Sequence, residues 1–148
     1  MKILILYAST HHGNTKKVVE ALAERFHADL IDLMNDPVPD LAGYDLLGFA
    51  SGIYFGSFHK KILELIEQSE RLSGKKVFLL STCGIGYKDY AGGIKRQLTS
   101  KGADVLGSFQ CRGYDTFGLW GKIGGIAKNH PNQKDRENAV RFLEKIIR

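Results

Sequence analysis

The junction between residues 3 and 26 constrains this chain more than any other stretch. Ile3-Leu4-Ile5-Leu6 is an apolar run that reads as a buried strand, Lys2 to Ala8. Tyr7-Ala8-Ser9-Thr10-His11-His12-Gly13-Asn14-Thr15 follows, and the chain then restarts with Val18, Val19, Leu22 and Phe26 at helical spacing. A strand that stops, turns on a glycine and resumes as a helix aims several backbone N–H groups and a helix N-terminus at one spot. That arrangement favours a phosphate. Ser9, Thr10, Asn14 and Thr15 add hydroxyl and amide donors, while the nearest lysines, Lys16 and Lys17, fall on the helix. The loop is neither the Gly-Lys-Ser/Thr loop of nucleotide triphosphatases nor the three-glycine dinucleotide fingerprint.

Beyond this junction, strand and helix patterns alternate, which predicts a parallel sheet covered by helices on both faces. The helices are expected over Asn14 to Phe26, His59 to about Arg71, about Gly92 to Lys101 and Lys134 to Ile147. Further strands are expected over Ala28 to Leu33, Tyr44 to Ser51, Lys76 to Thr82 and Asp104 to about Arg112. Asn35-Asp36-Pro37-Val38-Pro39-Asp40 interrupts regular structure. The result is a single domain over residues 1–148: an α/β three-layer sandwich with a five-stranded parallel sheet in the order 2-1-3-4-5. Loops after the first, third and fourth strands then meet at the carboxyl edge, where the strand order reverses and ligands bind.

Composition removes several classes. At 148 residues, 43% hydrophobic and 25% charged, the chain can bury a core without disulfides or metal. No apolar run reaches the length of a membrane span, no signal peptide is expected, and two cysteines form no framework; a cytoplasmic protein is the expectation. The net charge of +5 comes mostly from scattered pairs such as Lys16-Lys17, Lys60-Lys61, Lys75-Lys76 and Lys95-Arg96. No basic stripe interleaved with aromatics is present, which argues against nucleic acid; the charge bears instead on which partner or anionic surface the protein meets. His11 and His12 are adjacent, so their side chains diverge, and no metal site is expected. Ala8-Ser9 at the end of the first strand lacks the carboxylate pair of response-regulator receivers. Asp89 stands where a cysteine phosphatase built on Cys83 would need Arg.

The other two loops at the carboxyl edge are Gly52-Ile53-Tyr54-Phe55-Gly56-Ser57-Phe58 and Cys83-Gly84-Ile85-Gly86-Tyr87-Lys88-Asp89-Tyr90. Ile53, Tyr54 and Phe55 can wall one side of a flat ring, and Tyr87 and Tyr90 the other. Gly52, Gly56, Gly84 and Gly86 let backbone approach its polar edge. Thr10-x-His12-Gly13-Asn14-Thr15 resembles the phosphate loop of the flavodoxin family, with His12 where that loop usually has Ser or Thr. The resemblance extends over essentially the whole chain, in element order and loop placement.

It implies FMN held without covalent attachment by Ser9, Thr10, His11, His12, Gly13, Asn14 and Thr15, by Gly52, Ile53, Tyr54, Phe55 and Gly56, and by Thr82, Cys83, Gly84, Gly86, Tyr87 and Tyr90. It also implies an electron carrier serving redox partner proteins, with no catalytic residue of its own. Either Gly52 or Gly56 is the candidate for the peptide beside the flavin's N5. Many flavodoxins are acidic, and the basic charge here leads to an expectation of a less negative potential for the fully reduced flavin. Ile53-Tyr54-Phe55-Gly56-Ser57-Phe58-His59 also resembles a loop of the quinone-linked protoporphyrinogen oxidases, whose long insertion this chain lacks, although Gly113 to His130 is a candidate lid. The alternative is therefore a small flavin-dependent oxidoreductase acting on a quinone or protoporphyrinogen. His59 reads as a surface residue at a helix start, Cys83 as a small inert residue, and Trp120 as either a cover for the site or a subunit contact.

Overall fold

All six residues of β1 (Ile3–Ala8) are buried, as a strand covered on both faces requires. The computed structural model describes residues 1–10, 12–86, 88–114 and 123–148. After β1 come α1 (Asn14–Phe26), β2 (Asp29–Asp32), a 3-10 turn (Leu41–Gly43), β3 (Leu46–Tyr54), β4 (Ser57–Phe58), α2 (Lys60–Gln68), β5 (Lys76–Cys83), α3 (Gly92–Ser100), β6 (Asp104–Arg112) and α4 (Gln133–Ile146). The parallel strands run in the order β2-β1-β3-β5-β6, with β4 attached antiparallel to the end of β3. Apart from β4, this is the expected five-stranded order.

Side chains alternate across the sheet. Leu4, Leu6, Leu47, Phe49, Val77 and Leu79 pack on one face with Ile62, Ile66, Ile94 and Leu98 of α2 and α3. Ile3, Ile5, Leu46, Phe78 and Leu80 pack on the other with Val18, Val19 and Leu22 of α1 and Ala139 and Leu143 of α4. Because each helix returns antiparallel to the strand before it, the four described helices begin at the carboxyl edge of the sheet.

Boundaries differ from expectation where tertiary bonds intervene. Tyr44 stays outside β3 because it closes the 3-10 turn and its hydroxyl donates to Asp29 Oδ2 at 2.7 Å. At the other end β3 runs on to Tyr54, because Ile53 and Tyr54 pair with Phe58 and Ser57. α2 stops at Gln68 rather than near Arg71; Ser69 is extended, and the Lys101 ammonium donates to the carbonyls of Glu67 and Ser69. That exit carries Leu72 into the core at 1% exposure.

Gly48 is aligned with Phe78 across β3 and β5, and a Cβ there would lie 2.4 Å from the Phe78 ring. Gly48→Ala should therefore destabilise the protein by about 1–3 kcal/mol in urea unfolding through overpacking. Adding Phe78→Leu should recover part of that loss. A neutral Gly48→Ala would contradict the packing.

Candidate functional site

The turn after β1 is built from two consecutive left-handed residues, His12 (φ 56°) and Gly13 (φ 63°). Glycine takes this backbone without steric cost and histidine takes it only occasionally. The N-cap of α1 is Gly13, which has no side chain to cap it, so the N–H groups of Asn14 and Thr15 point out of the helix end toward the carboxyl edge. Ser9 Oγ accepts from the Lys16 N–H at 3.4 Å. Thr15 Oγ1 and Thr82 Oγ1 share a buried hydrogen bond of 2.9 Å, which joins the start of α1 to the end of β5.

A tight hairpin forms the second wall. Phe55 (φ 52°) and Gly56 (φ 77°) occupy the turn between the paired residues Tyr54 and Ser57, and both have the positive φ that a type I′ turn requires. The turn holds Phe55 at 91% exposure. Behind it, the Tyr54 ring meets the His59 ring edge-on at 5.2 Å, and its hydroxyl bonds Thr10 Oγ1 at 2.6 Å. His59 caps α2, its Nδ1 accepting from the Lys61 N–H at 3.0 Å. Burial, followed by the charges of Lys60 and Lys61, holds its imidazole below the usual histidine range, which suits an acceptor nitrogen. Ser51 Oγ accepts from the His59 N–H at 2.8 Å and donates to the Gly52 carbonyl at 2.6 Å, fixing the root of the hairpin.

The third wall is the loop after β5. The Arg112 guanidinium donates to the Gly84 carbonyl at 3.0 and 2.6 Å, and the Tyr90 hydroxyl donates to the Ile85 carbonyl at 3.1 Å. The Lys88 ammonium sits 5.4 Å from the Tyr90 ring centroid. Asn14 Nδ2 closes the arrangement by donating to the Tyr114 carbonyl at 2.8 Å, and the His12 and Tyr114 rings lie 4.2 Å apart. This approach needs Gly113, where a Cβ would come within 2.7 Å of Asn14 Nδ2. Asn14 Oδ1 is buried without a partner among the described residues.

These walls enclose a cleft of about 380 Å³, within the ordinary size of a cofactor site. Of the residues singled out in the sequence, Ser9, Asn14, Thr15, Gly52, Ile53, Tyr54, Phe55, Gly56, Thr82, Cys83, Gly84 and Tyr90 line it. Thr10, His12 and Gly13 belong to the turn after β1 but do not line the cleft, and Gly86 borders a neighbouring groove with Gln110 and Arg112. His11, Tyr87 and Trp120 lie outside the described residues. Ile85, Lys88, Gly113 and Tyr114 also line the cleft and were not singled out as binding residues. Tyr114 is a hundred positions from Asn14, so only the fold brings the two together.

Both cysteines are buried and unbridged. Burial pushes the Cys111 thiol up to about 12, and Cys83 Sγ lies 3.6 Å from the Cys111 carbonyl. That environment does not favour a reactive thiolate at Cys111.

Thr15→Val should leave the Thr82 hydroxyl buried and unpaired, at a cost of about 1–3 kcal/mol in urea unfolding. The double variant Thr15→Val with Thr82→Val should restore most of that loss. Additive losses would show that the two hydroxyls are not coupled.

Comparison with known proteins agrees with this architecture. The family described as flavodoxin domain matches residues 4–122. An uncharacterised protein of Methanocaldococcus jannaschii is 39% identical over 150 residues, spanning 100% of this chain and 99% of its own. A flavodoxin from the domain Archaea superposes with a TM-score of 0.70 at 15% identity, covering 100% of both chains. General stress protein 14 of Treponema denticola, solved in complex with FMN, superposes with a TM-score of 0.70 at 12% identity over 99% of each chain. The match over residues 4–122 and the sheet order together establish that this chain belongs to the flavodoxin domain family.

Proposed function

We propose that the cleft holds FMN and that the protein passes electrons between partner proteins. The observation that carries this reading is the meeting of a left-handed helix start and an aromatic hairpin at one cleft. The residues present suit the cofactor. The N–H groups of Asn14 and Thr15, with the hydroxyls of Ser9 and Thr10, offer uncharged donors to a terminal phosphate. Asn14 Oδ1 is a buried acceptor in need of a donor, and the polyol chain of FMN carries hydroxyls. Tyr54, Phe55 and Tyr90 present ring faces, and Gly52, Gly56 and Gly84 bring backbone close to a ring's polar edge. A general stress protein of the same fold was solved with FMN, which supports the choice of cofactor.

When bound, FMN supplies one- and two-electron transfer. The chain's own residues set the surroundings of that chemistry. The hairpin and the β5–α3 loop exclude water from the ring faces, and low polarity there disfavours added negative charge. The Lys88 ammonium opposes this by favouring negative charge at the same wall. Cys83 and Cys111 are both buried, at 5% and 7% exposure.

Calorimetric titration with FMN and with riboflavin tests the phosphate assignment. FMN should bind at least about 100-fold more tightly, since two charge-assisted hydrogen bonds account for that ratio. Equal affinities would show that the loop after β1 does not hold the phosphate. Anaerobic reduction of the FMN-loaded protein should then proceed in two separate one-electron stages; a single two-electron stage would favour the small oxidoreductase over the carrier.

A further inference from the structure

Cations are gathered at the cleft edge of this fold in positions that cost it stability. The four described helices begin at that edge, where the helix dipole favours Asp or Glu in the first turn. The first turns of α1, α2 and α3 contain no acidic residue. Lys16 and Lys17, Lys60 and Lys61, and Lys95 with Arg96 stand there instead, all exposed. Lys88 adds a charge in the cleft wall, and Arg112 adds one where it braces Gly84. The carboxylates at the same edge keep their charge but are tied down by local hydrogen bonds. Asp32 and Asp36 bind the turn after β2, Asp89 accepts from the Ala91 N–H, and Asp135 caps α4 while bonding His130. Lys16 lies 4.0 Å from Glu20 as an exposed ion pair.

Two apolar side chains stand among these charges. Phe55 is held at the hairpin tip by a left-handed backbone and is 91% exposed, and Ile85 is 37% exposed on the loop across the cleft. An exposed aromatic on a rigid turn beside Lys60, Lys61 and Lys88 has the anatomy of a protein-binding anchor inside an electrostatic rim.

We infer that the mouth of the cleft docks an acidic protein partner, with Phe55 and Ile85 at the centre of the contact and Lys60, Lys61 and Lys88 in its basic rim. This names the partner chemistry for the electron carrier proposed above and rests on that reading for its purpose, though not for the binding itself. A folded protein is favoured over nucleic acid because the edge offers one apolar anchor pair rather than a row of stacking aromatics. Charge-steered association of this kind weakens steeply with salt.

The test is an NMR titration of isotope-labelled protein with zinc-substituted rubredoxin, a small acidic redox protein, run both with and without FMN. Amide shifts should centre on Phe55, Gly56, Ile85 and Lys88 and should vanish in about 0.5 M salt. The triple variant Lys60→Glu, Lys61→Glu and Lys88→Glu should weaken binding at least about tenfold, and Phe55→Ser should weaken it several-fold while leaving the spectrum otherwise folded. Shifts elsewhere, no binding, or insensitivity to charge reversal would overturn the proposal. So would an effect of charge reversal without any effect of Phe55→Ser, which would indicate a diffuse ion atmosphere. Tighter binding of a short single-stranded DNA under the same conditions would assign the surface to nucleic acid and also overturn it. Because the titration is repeated without FMN, a failure of flavin binding is distinguishable from a failure of docking.

Discussion

Covering β1, β3 and β5 on both faces is the constraint on which the rest of this structure depends. Strands buried in this way must be joined by helices packed alternately on the two sides, and right-handed connections then send every helix start to one edge. The order β2-β1-β3-β5-β6 places the reversal between β1 and β3, so the loops leaving those strands diverge and open a cleft between them. The site is therefore a consequence of topology before any particular side chain enters it.

Particular side chains then turn the opening into a site. The left-handed pair His12-Gly13 exposes the start of α1, and the Thr15–Thr82 hydrogen bond fixes that start against β5. The hairpin is rooted through Ser51 and His59 and carries Tyr54 and Phe55 to the opposite side. Asn14 links the floor to Tyr114, with Gly113 making room for the contact. Each of these bonds joins segments from different loops, so the walls are positioned by one another as well as by the sheet.

Much of this was legible in the residues because it depends on local pattern. Continuous apolar runs marked the central strands, and α1 spans Asn14–Phe26 as its periodicity predicts. The glycine- and tyrosine-rich loops announced themselves by composition. What stayed hidden depends on distance or on unfavourable local conformation. The hairpin requires Phe55 in a left-handed backbone, against the preference of a bulky side chain, so propensity gives no sign of it. Tyr114 joins the cleft only through a contact spanning most of the chain. His59 resembled an ordinary surface residue at a helix start, yet it caps α2 and braces Tyr54 at the same time.

The central claim is that the three loops at the carboxyl edge form one FMN site. Amide hydrogen exchange measured with and without FMN tests it most directly, since ligand binding slows exchange where it suppresses local opening. The account predicts added protection at Ser9 to Thr15, at Gly52 to Gly56 and at Gly84 to Tyr90, with little change along β2 or at the helix C-termini. Unchanged exchange at all three loops, or protection confined to another region, would contradict it.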